Sequence, residues 1–243
     1  MVDAALGWPA DTDAVAHVFV DALDDTLTVD GPDGHHLQRV RRVRARECVT
    51  AADGTGAWRC YEVEAATGGS LTLRAIGAWH LEPVRAPEVA VAVALLKGGL
   101  DDVVARLTEL GVAAIEPLRT EHAVVRWDDE RARDAVTRLR EIARSAAMQS
   151  RRARVPDVAD VAGISSLADR PDLLVADRAG DPVATVPSPA SGRWTVVVGP
   201  EGGLGPVDLE ALAGAGRVSV GPYVLRGGTA PIAVGAALLA RAS

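Results

Sequence analysis

Two apolar runs near the end of the chain each break off at a Gly-Pro pair. Residues 194–198 lead into 199–203, and Val218–Val220 leads into Gly221-Pro222. Short runs rich in β-branched residues predict buried strands, and Gly-Pro turns leave backbone amides and carbonyls bare at the strand ends. One such loop would predict only a turn, whereas two predict a ligand site built largely from main chain.

The chain lacks the common phosphate-binding loops. No G-x-x-x-x-G-K-[ST] sequence occurs, and no G-x-G-x-x-G sequence follows a strand. A nucleoside triphosphate or a dinucleotide is therefore a poor candidate ligand. Amides, carbonyls and an apolar floor favour a neutral purine with a short zwitterionic tail.

After residue 88, apolar strands alternate with helical patterns. Val89–Ala94 is continuously apolar, as expected of a strand covered on both faces. Leu100–Leu110 has apolar residues at helical spacing and is closed by Gly111. Further predicted elements are strands at Ala114-Ile115 and Asp172–Asp177, a long helix capped by Asp128 and running through Ala147, and helices over Pro206–Ala213 and Thr229–Ala240. The alternation predicts an open, mostly parallel α/β sheet.

The first third of the chain has a different pattern. Short β-rich runs occur at His17–Val20, Trp58–Val63 and Ser70–Leu73, with turn signals at Asp30–Gly34, Asp53–Gly56 and Gly68-Gly69. Short strands between regular turns predict a small β-barrel. Prolines at 83 and 87 indicate a linker. We therefore expect two domains, residues 1–82 and residues 83–243.

Five short motifs stand in the order and spacing of a known family. They are Lys97-Gly98, Thr108–Val112, Ala146–Arg152 with Val155-Pro156, Gly199–Gly203, and Val220–Arg226 followed by Thr229-Ala230. On these motifs the chain resembles the RsmE-type ribosomal RNA methyltransferases of the SPOUT class. The resemblance implies S-adenosylmethionine as methyl donor, 3-methyluridine in the 16S ribosomal RNA of the small subunit as product, and a homodimer. It also implies a C-terminal trefoil knot around the cofactor and an N-terminal PUA-like, RNA-binding β-barrel.

The two Gly-Pro loops, read with this resemblance, give the expected cofactor-binding residues. They are Val198, Gly199, Pro200, Glu201, Gly202, Gly203, Val220, Gly221, Tyr223, Val224, Leu225, Thr229 and Ala230. Glu201 is expected to accept a hydrogen bond from the cofactor ammonium. Its alternative role is to complement the dipole of the helix that follows.

Arg226 is the candidate catalytic residue. A guanidinium at the mouth of the second loop would hold the uracil carbonyls and stabilise the developing anion. The alternative is a structural clamp on backbone carbonyls. No residue in the sequence identifies itself as the general base, and His35 and His36 are expected to dock RNA.

The net charge of −7 hides an uneven distribution of arginines. Arg39–Arg46 carries five arginines, and a second group lies between Arg138 and Arg154. We expect both groups to contact phosphates; the alternatives are a solvated face and, near residue 150, a dimer contact. The candidate RNA-binding residues are Arg39, Arg41, Arg42, Lys97, Gln149, Arg151 and Arg152.

One departure from the family pattern bears on function. Gly227-Gly228 stand where the family usually has Thr, Ser or Glu, and two glycines add ordering entropy to the loop. Loss of cofactor binding would leave a non-catalytic ribosome-binding module. A second alternative is a methyltransferase of the same class that acts on a ribose 2′-hydroxyl.

The remaining composition predicts a cytoplasmic protein with no metal and no membrane segment. Cys48 and Cys60 are the only cysteines and fit reduced strand residues better than a disulfide or a metal site. No run of about 18 apolar residues occurs. Met1–Asp3 lacks the basic and then apolar start of a secretory signal.

Overall fold

The computed structural model describes residues 7–242, which divide into two compact units. The first unit consists of the chain up to Pro83 together with Ala147–Val155, and the second contains Val84–Ala146 and the chain from Pro156 onward. The start of the chain at Met1–Asp3 lies outside the described residues. The structure packs Ala147–Val155 within the first unit, although sequence reasoning placed it in the second domain.

The first unit is built on a mixed five-stranded sheet with the order β1-β3-β4-β5-β2. β1 and β3 are parallel, and the other neighbours are antiparallel. Its strands are β1 (Ala16–Phe19), β2 (Thr26–Val29), β3 (Cys48–Ala52), β4 (Ala57–Thr67) and β5 (Ser70–Leu81), and a short 3-10 helix covers Pro9–Asp11. Gly68 and Gly69, both at positive φ, form the two-residue hairpin between β4 and β5.

The predicted turn at Asp30–Gly34 is wrong, because the chain begins a helix there. α1 covers Gly31–His35 and continues as a π-helical turn over His36–Val40. Pro32 stands in the first turn, where no backbone N–H is needed. Gly34 packs under backbone carbonyls, and a Cβ at this position would lie 2.5 Å from the Val29 oxygen. The glycine therefore serves close packing.

The segment 147–155 is held in the first unit by hydrogen bonds to its backbone. The Arg152 carbonyl contacts His17 Nε2 at 3.0 Å, and the Ala153 N–H donates to the buried Glu82 carboxylate. The Val155 N–H donates to the Gly54 carbonyl at 3.0 Å. Burial is the main cause that raises the pKa of Glu82, and the bond from Ala153 opposes it.

The second unit contains a seven-stranded parallel sheet with the order β12-β10-β11-β6-β7-β8, and β9 also pairs with β7. Its strands are β6 (Glu88–Ala94), β7 (Ala114–Arg119), β8 (Asp157–Val158), β9 (Ala162–Gly163), β10 (Leu173–Pro182), β11 (Arg193–Val198) and β12 (Gly216–Ser219). β6 is buried along nearly its whole length, which explains its continuous apolar sequence.

The helices of the second unit mostly follow their sequence signals. They are α2 (Leu100–Leu110), α3 (Asp129–Gln149), which continues into the first unit, α4 (Pro206–Ala211) and α5 (Ala230–Leu239), with 3-10 turns at Ile164–Leu167 and Val183–Thr185. Gly111 ends α2 at φ 101°, and Asp128 Oδ1 caps α3 by accepting from the Arg131 N–H at 2.8 Å. Both predicted helix signals are confirmed, whereas α4 ends two residues earlier than predicted. Across residues 7–242, no helix has the length and hydropathy needed to cross a membrane.

Candidate cofactor site and its surrounding loops

Three neighbouring parallel strands end around one cavity of about 340 Å³. The strands are β10, β11 and β12, which stand side by side at one edge of the sheet. Because all three run in the same direction, their carboxyl ends meet at the same edge, where open α/β sheets bind ligands. The volume lies in the range of small-molecule sites.

The cavity combines apolar walls with exposed main chain and two acids. Val175, Val198, Leu209 and Val234 supply apolar surface, and the loops after β11 and β12 supply backbone groups. The acids are Asp177 and Glu201. This combination suits a flat apolar ring system that carries hydroxyl groups and a charged tail.

The cavity gathers nearly all of the predicted cofactor-binding residues. Those that line it are Val198, Gly199, Pro200, Glu201, Gly203, Val220, Gly221, Tyr223, Val224, Leu225 and Ala230. Gly202 and Thr229 do not. Thr229 is the N-terminal cap residue of α5, and the Gly202 carbonyl contacts His122 instead.

Sequence reasoning missed the wall that β10 contributes. Asp177 Oδ2 accepts from Arg217 Nη1 at 2.9 Å, and Asp177 Oδ1 accepts from the Ala179 N–H at 2.9 Å. Arg178 also lines the cavity. The predicted strand Asp172–Asp177 stops at these residues, and the rule that ligands bind at strand carboxyl ends would have found them.

Gly227 has a steric role that sequence reasoning missed. It is buried, and a Cβ on it would lie 2.6 Å from Glu201 Oε1 and 2.9 Å from Leu96 Cδ2. The Glu201 carboxylate therefore fills the space that a larger residue would take, and it brings the two Gly-Pro loops together. Gly228 has open space around its Cα.

Arg226 projects its side chain into solvent. Its backbone carbonyl accepts from the N–H groups of Thr229 and Ala230 at 2.8 and 2.9 Å, where α5 starts. Among residues 7–242, no hydrogen bond or ion pair of its guanidinium is found, and Arg226 does not line the cavity. The guanidinium is thus available to a second molecule at the mouth of the second loop.

The loop after β7 braces the first Gly-Pro loop. His122 Nδ1 contacts the Gly202 carbonyl at 3.1 Å. Glu121 Oε2 accepts from the Val207 N–H at 3.1 Å, and the Glu121 N–H donates to Asp208 Oδ2 at 3.0 Å. Asp208 is only 3% exposed and also accepts from the Gly205 N–H. The loop after β7, the Gly-Pro loop and α4 therefore form one hydrogen-bonded group.

The arginines of the first cluster are exposed. Arg39, Arg41 and Arg42 lie on or after the π-helical turn, and within residues 7–242 none of them has an acidic partner. Arg42 has a φ of 56°, in the left-handed region that is uncommon for residues other than glycine. The structure thus leaves these three guanidinium groups free for an external anion.

The candidates near residue 150 differ in exposure. Gln149 is exposed at the end of α3, as is Lys97 shortly after β6. Arg151 donates from Nη1 to the Thr12 carbonyl at 3.3 Å, and Arg152 is half-buried. Burial lowers the pKa of Arg152, while the charge of Glu82 opposes this shift. Both arginines therefore serve the packing of the first unit in addition to any contact with RNA.

The two cysteines lie on the sheet of the first unit and do not line the cavity. Cys48 and Cys60 are free thiols on the neighbouring strands β3 and β4. Burial raises the pKa of Cys60 to about 11. In the part of the chain from residue 7 to 242, no three His, Cys, Asp or Glu side chains gather where they could hold a metal ion.

Comparison with known proteins assigns the family. The RNA methyltransferase domain model matches residues 84–239. Ribosomal RNA small subunit methyltransferase E of Mycobacterium bovis is 38% identical over 234 residues, which cover 90% of this chain and 89% of that protein. The chain belongs to the ribosomal RNA small subunit methyltransferase E family. The family member of Bacillus subtilis is 29% identical over 223 residues, which cover 85% of this chain and 87% of that protein.

A solved structure of the same family shares the fold. The crystal structure of ribosomal RNA small subunit methyltransferase E from Neisseria gonorrhoeae, bound to S-adenosylmethionine, has a TM-score of 0.78 and 29% identity to this chain. The similarity covers 91% of this chain and 96% of that one. The α/β fold described above, with its mixed and parallel sheets, is therefore the fold of the family.

Proposed function

We propose that the chain uses S-adenosylmethionine to methylate a uridine base in the 16S ribosomal RNA of the small subunit, with 3-methyluridine as the product. The observation that carries this proposal is the cavity at the carboxyl ends of β10, β11 and β12. Family membership supports it, as does the S-adenosylmethionine bound to the Neisseria gonorrhoeae relative.

The cavity residues fit this methyl donor. The apolar side chains Val198 and Val234 suit the face of an adenine ring, and bare backbone groups after β11 and β12 suit its polar edge. Glu201 and Asp177 offer carboxylates to the ammonium and the ribose hydroxyls. When bound, the cofactor supplies a methyl group that its sulfonium has already activated.

The protein must then align the uridine and assist the loss of its imide proton. Alignment alone contributes up to about 7–11 kcal/mol when the approach is in line. In the proposal, the exposed Arg226 guanidinium holds the uracil carbonyls and stabilises the negative charge that develops on the ring. Glu201 keeps the two loops together through its contact with Gly227.

We assign RNA binding to the N-terminal domain, residues 1–82, and methyl transfer to residues 83–243. The mixed five-stranded sheet supports a PUA-like barrel for the first domain, and Arg39, Arg41 and Arg42 offer unpaired charges to phosphates. Lys97, Gln149, Arg151 and Arg152 extend the RNA-binding set. Lys97 and Gln149 are exposed near the ends of β6 and α3, whereas Arg151 and Arg152 also serve packing of the first unit.

The family resemblance supports three further parts of the proposal. The chain forms a homodimer, its C-terminal segment is tied in a trefoil knot around the cofactor, and the protein acts in the cytoplasm.

Nucleoside mass spectrometry tests the proposed reaction. Small subunits that lack the modification are incubated with the protein and S-adenosylmethionine, and their 16S RNA is digested to nucleosides. The proposal predicts one new 3-methyluridine per subunit. A 2′-O-methylated nucleoside would establish the ribose-directed alternative, and an unmodified RNA together with no cofactor binding would establish the non-catalytic module.

A further inference from the structure

His122 lies beside the cofactor site, on the loop that follows β7. Its Nδ1 is 3.1 Å from the Gly202 carbonyl. A carbonyl oxygen only accepts hydrogen bonds, so Nδ1 carries the proton. In the neutral ring, Nε2 is then a bare acceptor. The side chain is exposed, so this nitrogen is open to a second molecule.

The loop that carries His122 is fixed on both sides of the imidazole. Glu121 is held through its carboxylate by Val207 and through its N–H by the buried Asp208. The Ala123 N–H donates to the Thr120 carbonyl at 3.2 Å. A side chain on such a braced loop keeps its position when substrate arrives, as general acid–base catalysis requires.

The neighbours of His122 connect it to the proposed reaction centre. Gly202 stands between Glu201 and Gly203, and both of these line the cavity. The Glu201 carboxylate in turn packs on Gly227, the residue after Arg226. The imidazole, the cofactor loop and the candidate catalytic arginine are therefore linked by consecutive contacts. Within residues 84–146 and 156–242, which form the second unit, His122 is the only histidine.

We propose that His122 Nε2 is the general base that removes the imide proton of the target uridine, an inference that rests on the proposed function. The N3–H bond breaks, the proton moves to Nε2, and the electron pair left on N3 forms the bond to the methyl carbon. The C–S bond breaks toward sulfur and leaves a neutral thioether. The imidazolium then returns its proton to solvent.

Imidazole is the commonest general base at neutral pH, and such a base contributes about 100- to 10,000-fold to the rate.

Two variants separate a catalytic role of His122 from its hydrogen bond to the Gly202 carbonyl of the cofactor loop. His122→Asn keeps a nitrogen donor near Gly202 but has no basic nitrogen, and His122→Ala has neither. Both should lower the single-turnover rate of 3-methyluridine formation by at least about 100-fold, and His122→Asn should keep the wild-type affinity for S-adenosylmethionine in calorimetry. Added imidazole should restore activity to His122→Ala in proportion to the unprotonated imidazole. Full activity in His122→Asn, or no rescue of His122→Ala, would overturn the proposal.

A measurement on the free protein tests the proton position without any activity assay. In ¹⁵N NMR of the histidine-labelled protein, the neutral His122 ring should carry its proton on Nδ1, and His122→Ala assigns the signal. A proton on Nε2 contradicts the inference. Wild-type protein that forms no 3-methyluridine would refute the proposed function itself, whereas an active wild type with an equally active His122→Ala would refute only the role of His122.

Discussion

The two proposed binding regions of this molecule are built in opposite ways. The proposed cofactor cavity is bordered by β10, β11 and β12 and offers a ligand backbone groups and the space around Gly227. The arginines of the Arg39–Arg46 cluster have exposed side chains, and they lie on or just after a short helical stretch. The first arrangement selects a ligand by shape, and the second attracts phosphate by charge and is weakened by salt. Substitutions should therefore affect the two regions through different measurable quantities.

The largest expected effect concerns the cation at the edge of the cavity. Arg226→Lys keeps the charge but loses the planar fork, and should lower the single-turnover methylation rate by about 100- to 1000-fold with little change in cofactor affinity. Arg133→Lys, on an exposed face of α3, is the matched control and should keep the wild-type rate. A decrease that lies wholly in cofactor affinity would make Arg226 a structural residue.

The next largest effect is on the free energy of unfolding, which should depend on pH through His17 in the first unit. His17 is 3% exposed, and its burial lowers its pKa to about 4. The unfolded chain takes up this proton near pH 6.5 and the folded chain only near pH 4, so the stabilisation is complete above pH 6.5 and is lost as pH falls toward 4. Its loss amounts to about 3 kcal/mol in the free energy of unfolding.

Urea unfolding of the full chain between pH 7 and pH 4 measures this dependence. His17→Asn should flatten the curve, and the exposed His36→Asn should leave it as in the wild type. Equal pH dependence in His17→Asn and the wild type would show that other groups cause it.

A smaller effect tests whether shape governs the cofactor cavity. Gly227→Ala places a Cβ against the Glu201 carboxylate and Leu96, whereas Gly228→Ala meets no atom within 4 Å. Overpacking of this kind should weaken S-adenosylmethionine binding by about tenfold in the first variant. The second variant should bind as the wild type does. Equal affinities in calorimetric titration would contradict the steric role of Gly227.

The smallest effect is expected in the arginine cluster. Replacing Arg41 and Arg42 by Ala should reduce the magnitude of the salt slope of RNA binding by about 1 for each phosphate that the variant no longer neutralises. Cofactor affinity should stay unchanged. A slope equal to that of the wild type would show that Arg41 and Arg42 do not contact phosphates and only form a solvated face.

The sequence predicted local features better than contacts between distant segments. The end of α2 at Gly111 and the start of α3 at Asp128 were predictable, because each depends on a few consecutive residues. The helix at Gly31–His35 was missed, because Gly and Pro there resemble a turn until Gly34 is seen packed against Val29. The attachment of Ala147–Val155 to the first unit depends on Glu82 and His17, far away along the chain.

The same distinction applies to the site. The two Gly-Pro loops could be found by their motifs, whereas the wall from β10 has no motif and follows only from strand order. The sequence presents Gly227 as a source of flexibility, and the structure shows that it accommodates Glu201. His122 contacts Gly202, which stands 80 positions later in the chain, so no spacing rule connects them.

Calorimetric titration of the wild-type protein with S-adenosylmethionine, at low and at high salt, tests the central claim most directly. A cavity formed largely by main chain and apolar side chains, with two acids, should bind one cofactor per chain, with a dissociation constant that changes by less than about threefold between about 0.05 and 0.5 M salt. RNA binding should weaken steeply over the same range. No saturable heat, or a cofactor affinity that falls with salt as steeply as the RNA affinity does, would contradict the account.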